Sequence, residues 1–163
     1  MKQLEIKTLI KECEYSELPE SDRRLVDEAK EATRRAYAPF SKYHVGAALL
    51  MDNGKIVTGS NQENAAYPSG LCAERTAVFY ASSSYPGVAV RKIAIAAWQK
   101  PADDLDPEAG FEAHPVSPCG GCRQALIEYE HLYGNIEVIL YGREKTYILP
   151  SVASLLPFGF TDF

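Results

Sequence analysis

The chain has no apolar run approaching the roughly 20 residues that span a bilayer. Its opening residues, Met1-Lys2-Gln3-Leu4-Glu5-Ile6-Lys7, mix charge with apolar side chains and hold no secretory h-region. A cytoplasmic protein with no membrane partner is expected. Positive charge is not in excess either: 17 Lys and Arg stand against 22 Asp and Glu, a net charge of −5. Polynucleotide binding draws on clustered cations that neutralise phosphates. The only adjacent basic pairs are Arg23-Arg24, Arg34-Arg35 and Arg91-Lys92, which argues against a nucleic-acid partner. Repeats and low-complexity stretches are absent. With 46% apolar and 24% charged residues, 163 residues suffice for one domain with its own core. Cysteine is scarce at four residues, and without an export signal these are expected to bind metal rather than pair.

What is present reads as alternating helices and strands. Leu4 and Ile6 alternate within residues 2–15 and predict an N-terminal strand. Leu18-Pro19-Glu20-Ser21 is a breaker followed by an N-cap residue, and Leu25, Ala29, Ala32 and Ala36 recur at helical spacing to about Tyr37. Strands are predicted over 45–51 and 55–60, joined by the hairpin turn Asp52-Asn53-Gly54. A polar loop over 61–71 leads to a helix over 72–82, then to a short buried strand over 93–98. A Pro-, Asp- and Glu-rich connection over 99–117 precedes a helix over 120–133, stopped by Gly134. Strands over 136–141 and 146–149 and a helical turn over 152–156 complete the chain. This order predicts an α/β fold, a three-layer α/β/α sandwich on a mixed five-stranded sheet.

Two segments carry the chemistry. Cys72-Ala73-Glu74 opens one predicted helix, and Pro118-Cys119-Gly120-Gly121-Cys122 opens another. Cys72, Cys119 and Cys122 can supply three of zinc's four tetrahedral positions, and an open fourth position distinguishes a catalytic zinc from a structural one. Helix entries favour thiolates, because orphan N–H groups and the positive end of the dipole lie there. Cys72 and Glu74 are two residues apart and would diverge deep within a helix, but at its entry both can aim at one site. Glu74 is then placed as the general acid/base beside a metal-activated water, the pattern of hydrolytic base deaminases. Arg75 is the candidate donor of hydrogen bonds to the sulfurs. Cys13 lies outside both motifs and reads as a half-buried free thiol on a strand.

Other readings exist for each part. A Cys-x-x-Cys pair alone also suits a redox dithiol or half a zinc ribbon, yet neither needs Cys72 or Glu74. A structural zinc wants a fourth protein ligand, and His44, His114 and His131 match no ligand spacing. A non-catalytic, zinc-stabilised binding module would have no use for Glu74.

Several further stretches carry a resemblance. They are Tyr37-Ala38-Pro39-Phe40-Ser41-Lys42-Tyr43 running into Val45-Gly46-Ala47-Ala48-Leu49, then Asn61-Gln62-Glu63-Asn64-Ala65-Ala66-Tyr67 and Cys72-Ala73-Glu74-Arg75-Thr76-Ala77. Ser117-Pro118-Cys119-Gly120-Gly121-Cys122-Arg123-Gln124 and Leu155-Leu156-Pro157 follow in order. From about Asp22 onward the chain resembles the small homotetrameric cytidine deaminases. The resemblance implies hydrolytic deamination of cytidine and 2′-deoxycytidine, one zinc ion per subunit on Cys72, Cys119 and Cys122, and Glu74 as proton carrier. It implies that Asn61 and Glu63 hold the ribose hydroxyls and that Tyr67 and Ala73 line the same pocket. Tyr43 stands where the family usually has a phenylalanine against the nucleoside, and its hydroxyl needs a partner. Phe160 resembles a C-terminal aromatic that reaches a neighbouring subunit's pocket; the alternative is that Phe158, Phe160 and Phe163 staple the terminus to the core.

Two departures follow from the comparison with that family. Residues 1–18 read as an N-terminal extension to a single catalytic domain over 19–163. Cys119 follows Cys72 by 47 positions, longer than the family's usual spacing, with the excess around 100–115. That excess reads as a surface insertion, or else as a lid or intersubunit contact. A deaminase of a cytosine-containing antibiotic such as blasticidin S shares the metal motifs but usually lacks Asn-x-Glu, and the nucleotide deaminases normally have histidine where Cys72 stands.

Overall fold

Alternation along the strands sets the layers of this protein, whose computed structural model describes residues 1–99 and 107–161. The strands are β1 (Lys11–Cys13), β2 (Tyr43–Met51), β3 (Ile56–Ser60), β4 (Val90–Gln99), β5 (Glu137–Leu140) and β6 (Thr146–Leu149). They form one sheet in the order β1-β6-β5-β4-β2-β3, with β4 and β5 parallel and the other pairings antiparallel. Successive side chains point to opposite faces. Ala47, Leu49, Ile93, Ile95, Val138 and Leu140 face one way, against α2 (Ala73–Ser84) and α3 (Gly120–Tyr133). Ala48, Ala94, Ala96 and Ile139 face the other, against Leu25, Val26 and Ala29 of α1 (Glu20–Thr33). The predicted α/β/α sandwich is the fold.

Glycine sets the approach of a helix at one point that matters for function. A Cβ on Gly59 of β3 would lie 2.5 Å from both the Ala73 carbonyl oxygen and the Ala77 nitrogen. Its absence lets the first turn of α2, which carries Glu74, press directly on the sheet.

Several boundaries differ from expectation. The sheet has six strands rather than five, because Lys11–Cys13 adds to the edge of β6. The Leu4/Ile6 alternation does not build that strand: Leu4, Ile6, Leu9 and Ile10 are exposed, having no sheet face to cover. α1 starts at Glu20 with Pro19 as its N-cap, so Ser21 is not the cap; the Pro19 carbonyl takes the Asp22 and Arg23 amides at 3.0 and 2.9 Å. α1 also stops at Thr33 instead of Tyr37, because Tyr37 is drawn into pairing with the loop after β3. Its N–H donates to the Asn61 carbonyl at 3.0 Å and its carbonyl accepts from Glu63 N–H at 2.8 Å.

Each basic pair has at least one member bonded within the chain: Arg23 donates to the Ser16 and Leu18 carbonyls at 3.1 and 2.7 Å. Arg34 bonds Glu31 and Arg35 bonds Thr58, Arg91 bonds Asp52, and Lys92 bridges Asp22 and Glu137 at 2.8 and 2.7 Å. Among the described residues no helix is long and apolar enough to cross a membrane. The first part of the 100–115 segment lies outside the described residues.

Candidate metal centre and active site

Both cysteine motifs arrive at helix entries, as their spacing requires. Cys72 is the N-cap of α2 and Cys119 the N-cap of α3, each with extended backbone and no side-chain capping bond, which leaves the sulfurs free. Cys122 lies in the first turn of α3 and is fully buried. The Arg123 guanidinium fixes this entry by donating to the Pro118 carbonyl at 2.7 Å and the Leu155 carbonyl at 2.9 Å. All three Sγ atoms lie within 4.8 Å of one another, Cys72 to Cys119 at 3.8 Å and Cys119 to Cys122 at 3.5 Å. Four ligands at a Zn–S length of about 2.3 Å in a tetrahedron stand about 3.8 Å apart. The sulfur set therefore fits zinc in both chemistry and spacing. Among the described residues no histidine or carboxylate joins the three sulfurs, so one coordination direction stays open. Cys13 is a half-buried free thiol on β1, as expected.

The surroundings favour thiolate at Cys72. Cys72 is pulled down to about 5, first by a hydrogen bond from Cys122 and then with help from Arg75 and Cys119. Cys122 is pushed up by the same contact with Cys72, by burial and by the Glu74 charge, which is the cost of several anions in one place before a cation arrives. Glu74 is 4% exposed, and burial above all raises its carboxyl from the usual range. A raised carboxyl is one able to hold and release a proton nearer neutrality.

Arg75 stands as its sequence position suggests: its Nη2 donates to Cys72 Sγ at 3.6 Å, while its buried Nε has no hydrogen-bond partner. Arg75→Ala is expected to weaken zinc binding about tenfold to a hundredfold, read by competition with a chromogenic chelator. Unchanged affinity and turnover would show that the guanidinium does nothing for the sulfurs.

Two connected hollows meet at this cluster. The inner one, about 200 Å³, is lined by Val45, Asn61, Cys72, Ala73, Glu74 and Cys119 together with Ile95, Val116 and Ser117. The outer one, about 480 Å³, is bordered by Phe40, Asn61, Glu63, Tyr67, Cys72 and Arg75 among others. Asn61 and Cys72 belong to both. Asn61 is held by two backbone bonds to β2: its Nδ2 donates to the Tyr43 carbonyl at 2.9 Å, and its Oδ1 accepts from Val45 N–H at 2.8 Å. Glu63 accepts from the Phe40 amide at 2.9 Å and from the Ser41 amide, and hydrogen bonding from Ser41 foremost holds its carboxyl below the usual range. Tyr67 stands at the rim, exposed, with its ring edge-on to Phe40 at 5.9 Å.

Tyr43 is set back from both hollows and touches the site through the bonds of its strand to Asn61. Phe160 is exposed, its backbone tied to Gln124 at 2.7 and 3.1 Å. Phe158 is exposed too, and Phe163 lies outside the described residues. Motif reading passed over Val45, Phe40, Val116 and Ser117 as wall residues. Phe40, Val45 and Ser117 lie within the motif stretches and Val116 just before one, but nothing in their residue types marks them as walls until the folded chain places them in the hollows. A larger hollow of about 630 Å³ lies on the opposite face, between α1 and Trp98, and contains no cysteine.

Comparison with known proteins gives the same answer. The family model for the cytidine and deoxycytidylate deaminase zinc-binding region matches residues 19–134. A cytidine deaminase of Sporosarcina psychrophila is 41% identical over 139 residues, covering 85% of this chain and 90% of that protein. One from Halalkalibacterium halodurans is 39% identical over 137 residues, covering 84% and 92%. The crystal structure of cytidine deaminase from Burkholderia pseudomallei superposes with a TM-score of 0.67 at 38% identity, covering 84% of this chain and 97% of that one. With sulfurs, carboxylate and fold agreeing, the chain belongs to the cytidine and deoxycytidylate deaminase zinc-binding family.

Proposed function

We propose that this protein hydrolytically deaminates cytidine and 2′-deoxycytidine to uridine and 2′-deoxyuridine, releasing ammonia. The observation that carries the reading is the inner hollow itself. It ends on Cys72, Cys119 and the buried Glu74 carboxylate, with the third sulfur, Cys122, beside Cys119 at 3.5 Å, and Asn61 joins it to the outer hollow that Glu63 borders. Zinc, when bound, lowers the pKa of water and so supplies a nucleophile near neutral pH. Everything else falls to the chain's own groups. Glu74 takes the water proton, passes it to ring N3 so that C4 becomes electrophilic, and then serves the leaving amine. Water and cytidine enter, uridine and ammonia leave, and one carboxylate acts in turn as base and acid.

Recognition is divided between the two hollows. Ala73, fully buried at the α2 entry, walls the base site. Asn61 and Glu63 keep acceptor capacity beyond their backbone bonds, which suits the ribose hydroxyls, while Tyr67 with Phe40 borders the sugar side. A cytosine-containing antibiotic such as blasticidin S is not favoured, since relatives 41% and 39% identical over most of the chain are named cytidine deaminases. We read residues 1–18 as an extension to a single domain over 19–163, in keeping with a family match that begins at residue 19. The reading includes a cytoplasmic homotetramer active in pyrimidine salvage, in which the exposed Phe160 reaches a neighbouring subunit's cleft.

The test is zinc stoichiometry measured beside ammonia release from cytidine, 2′-deoxycytidine and cytidine 5′-monophosphate. One zinc per chain, turnover of both nucleosides and little of the monophosphate are expected, from a species of four times the 18.0 kDa chain mass by light scattering. A metal-free preparation with full activity would end the proposal.

A further inference from the structure

Residues 107–114 are not a loose surface loop. Phe111 is 8% exposed and lies edge-on to Tyr141, with the Lys30 ammonium 5.0 Å from its ring centre and bonded to Glu108 at 2.8 Å. Phe111 forms an antiparallel bridge with Trp98. Glu112 N–H donates to the Ala97 carbonyl at 3.0 Å, and Arg143 N–H donates to the Glu112 carbonyl at 2.8 Å. At this level β4 thus has β2 on one edge and Phe111-Glu112 on the other.

The register assigns faces. His44 pairs with Trp98 and Val45 with Ala97. The His44 and Trp98 rings meet at 5.3 Å on the α1 side, where Phe111 also packs. Alternation then sends Tyr43, Ala97 and Glu112 to the other face, the one carrying Val45, Ile95 and the sulfurs. Ala97 between them is only a methyl, which leaves room for the Tyr43 side chain to cross β4 toward Glu112; burial first, and then the nearby Glu112 carboxylate, push the Tyr43 phenol up to about 12. The acceptor nearest to hand for that hydroxyl therefore lies in the segment longer than the family's usual spacing. From Glu112 the chain runs on through Val116 and Ser117, walls of the inner hollow, to Cys119.

We propose that Glu112 is a positioning residue for deamination, clamping Tyr43 so that the Tyr43 carbonyl holds the Asn61 amide where the two hollows join. This inference rests on the function proposed above and goes further, by giving the extra segment a task in substrate binding. Glu112 touches no reacting atom; it acts through Tyr43 and Asn61.

Four proteins test it: Glu112→Ala, Glu112→Gln, Tyr43→Phe and the Glu112→Ala/Tyr43→Phe double variant, each assayed for KM and kcat on cytidine, zinc content and melting temperature. Glu112→Ala and Tyr43→Phe should each raise KM about three- to tenfold with kcat within about twofold, and the double variant should be no worse than either alone. Glu112→Gln, whose amide oxygen still accepts from the phenol, should restore KM to within about twofold of wild type. Zinc should stay at one per chain. Unmoved KM in the single variants, effects that multiply in the double variant, or a Gln variant as impaired as the Ala variant would each overturn the clamp. Should Glu112→Ala fail to fold, Tyr43→Phe against Glu112→Gln decides by the same criteria. A wild-type protein with zinc but no turnover of cytidine would instead refute the function, so the two failures are distinct.

Discussion

Glu74→Gln should keep one zinc per chain and lower kcat on cytidine by about a hundredfold or more, the lower end of what a positioned proton carrier contributes. Glutamine preserves the size of a side chain that is 4% exposed and packed at the α2 entry, so the sulfurs have no reason to move. It still offers hydrogen bonds but no longer accepts and returns a proton near neutral pH. A hundredfold is about 2.7 kcal/mol of barrier. Because the lost transfers occur only on the way to products, KM should change by no more than about threefold while kcat and kcat/KM fall together. Inductively coupled plasma analysis gives the zinc and steady-state absorbance at the cytidine band gives the rates. A kcat within about tenfold of wild type, with the zinc intact, would mean that another group carries the proton.

The largest effect on stability is expected at Glu130. Its carboxylate is 8% exposed in the last turn of α3, where the negative end of the helix dipole works against it. Three backbone amides hold it there: Ile136 at 2.9 Å, Val152 at 2.7 Å and Ala153 at 2.9 Å. The one side chain thus ties α3 to the chain entering β5 and to the 3-10 turn Val152–Leu155. Glu130→Leu removes all acceptors at once, and each stranded buried donor costs about 1–3 kcal/mol. A loss of about 3–5 kcal/mol is expected, with a melting temperature lower by roughly 10 °C for a chain of this size. Glu130→Gln keeps one acceptor oxygen for two of the amides and should lose less than half as much. Urea titrations of both variants measure this directly. A leucine variant within about 1 kcal/mol of wild type would show that water replaces the carboxylate.

The sequence told most where a residue's chemistry is local. The helix over 120–133 was legible because Cys119 and Gly134 mark its two ends, and Gly134 indeed takes a positive φ of 96°. The sulfurs and Glu74 were legible because ligand chemistry demands those residue types at helix entries. What depends on distant packing was not. Alternation at Leu4 and Ile6 resembles a strand, yet both side chains stand exposed, and the pairing falls instead on Lys11–Cys13. Helical periodicity ran on to Ala36, but the competing pairing of Tyr37 with the Asn61–Glu63 backbone ends α1 at Thr33. Glu130 and Glu112 look like ordinary surface acids until the elements that face them are in place.

The three sulfurs come from the first turns of two different helices, so a chain able to grip the ion must already have both helices seated on the sheet. Metal loading and folding are therefore one equilibrium, and each tenfold rise in free zinc above the dissociation constant should add about 1.4 kcal/mol to resistance against unfolding. In a cell short of zinc, the amount of intact protein, and not merely its turnover, would follow the supply.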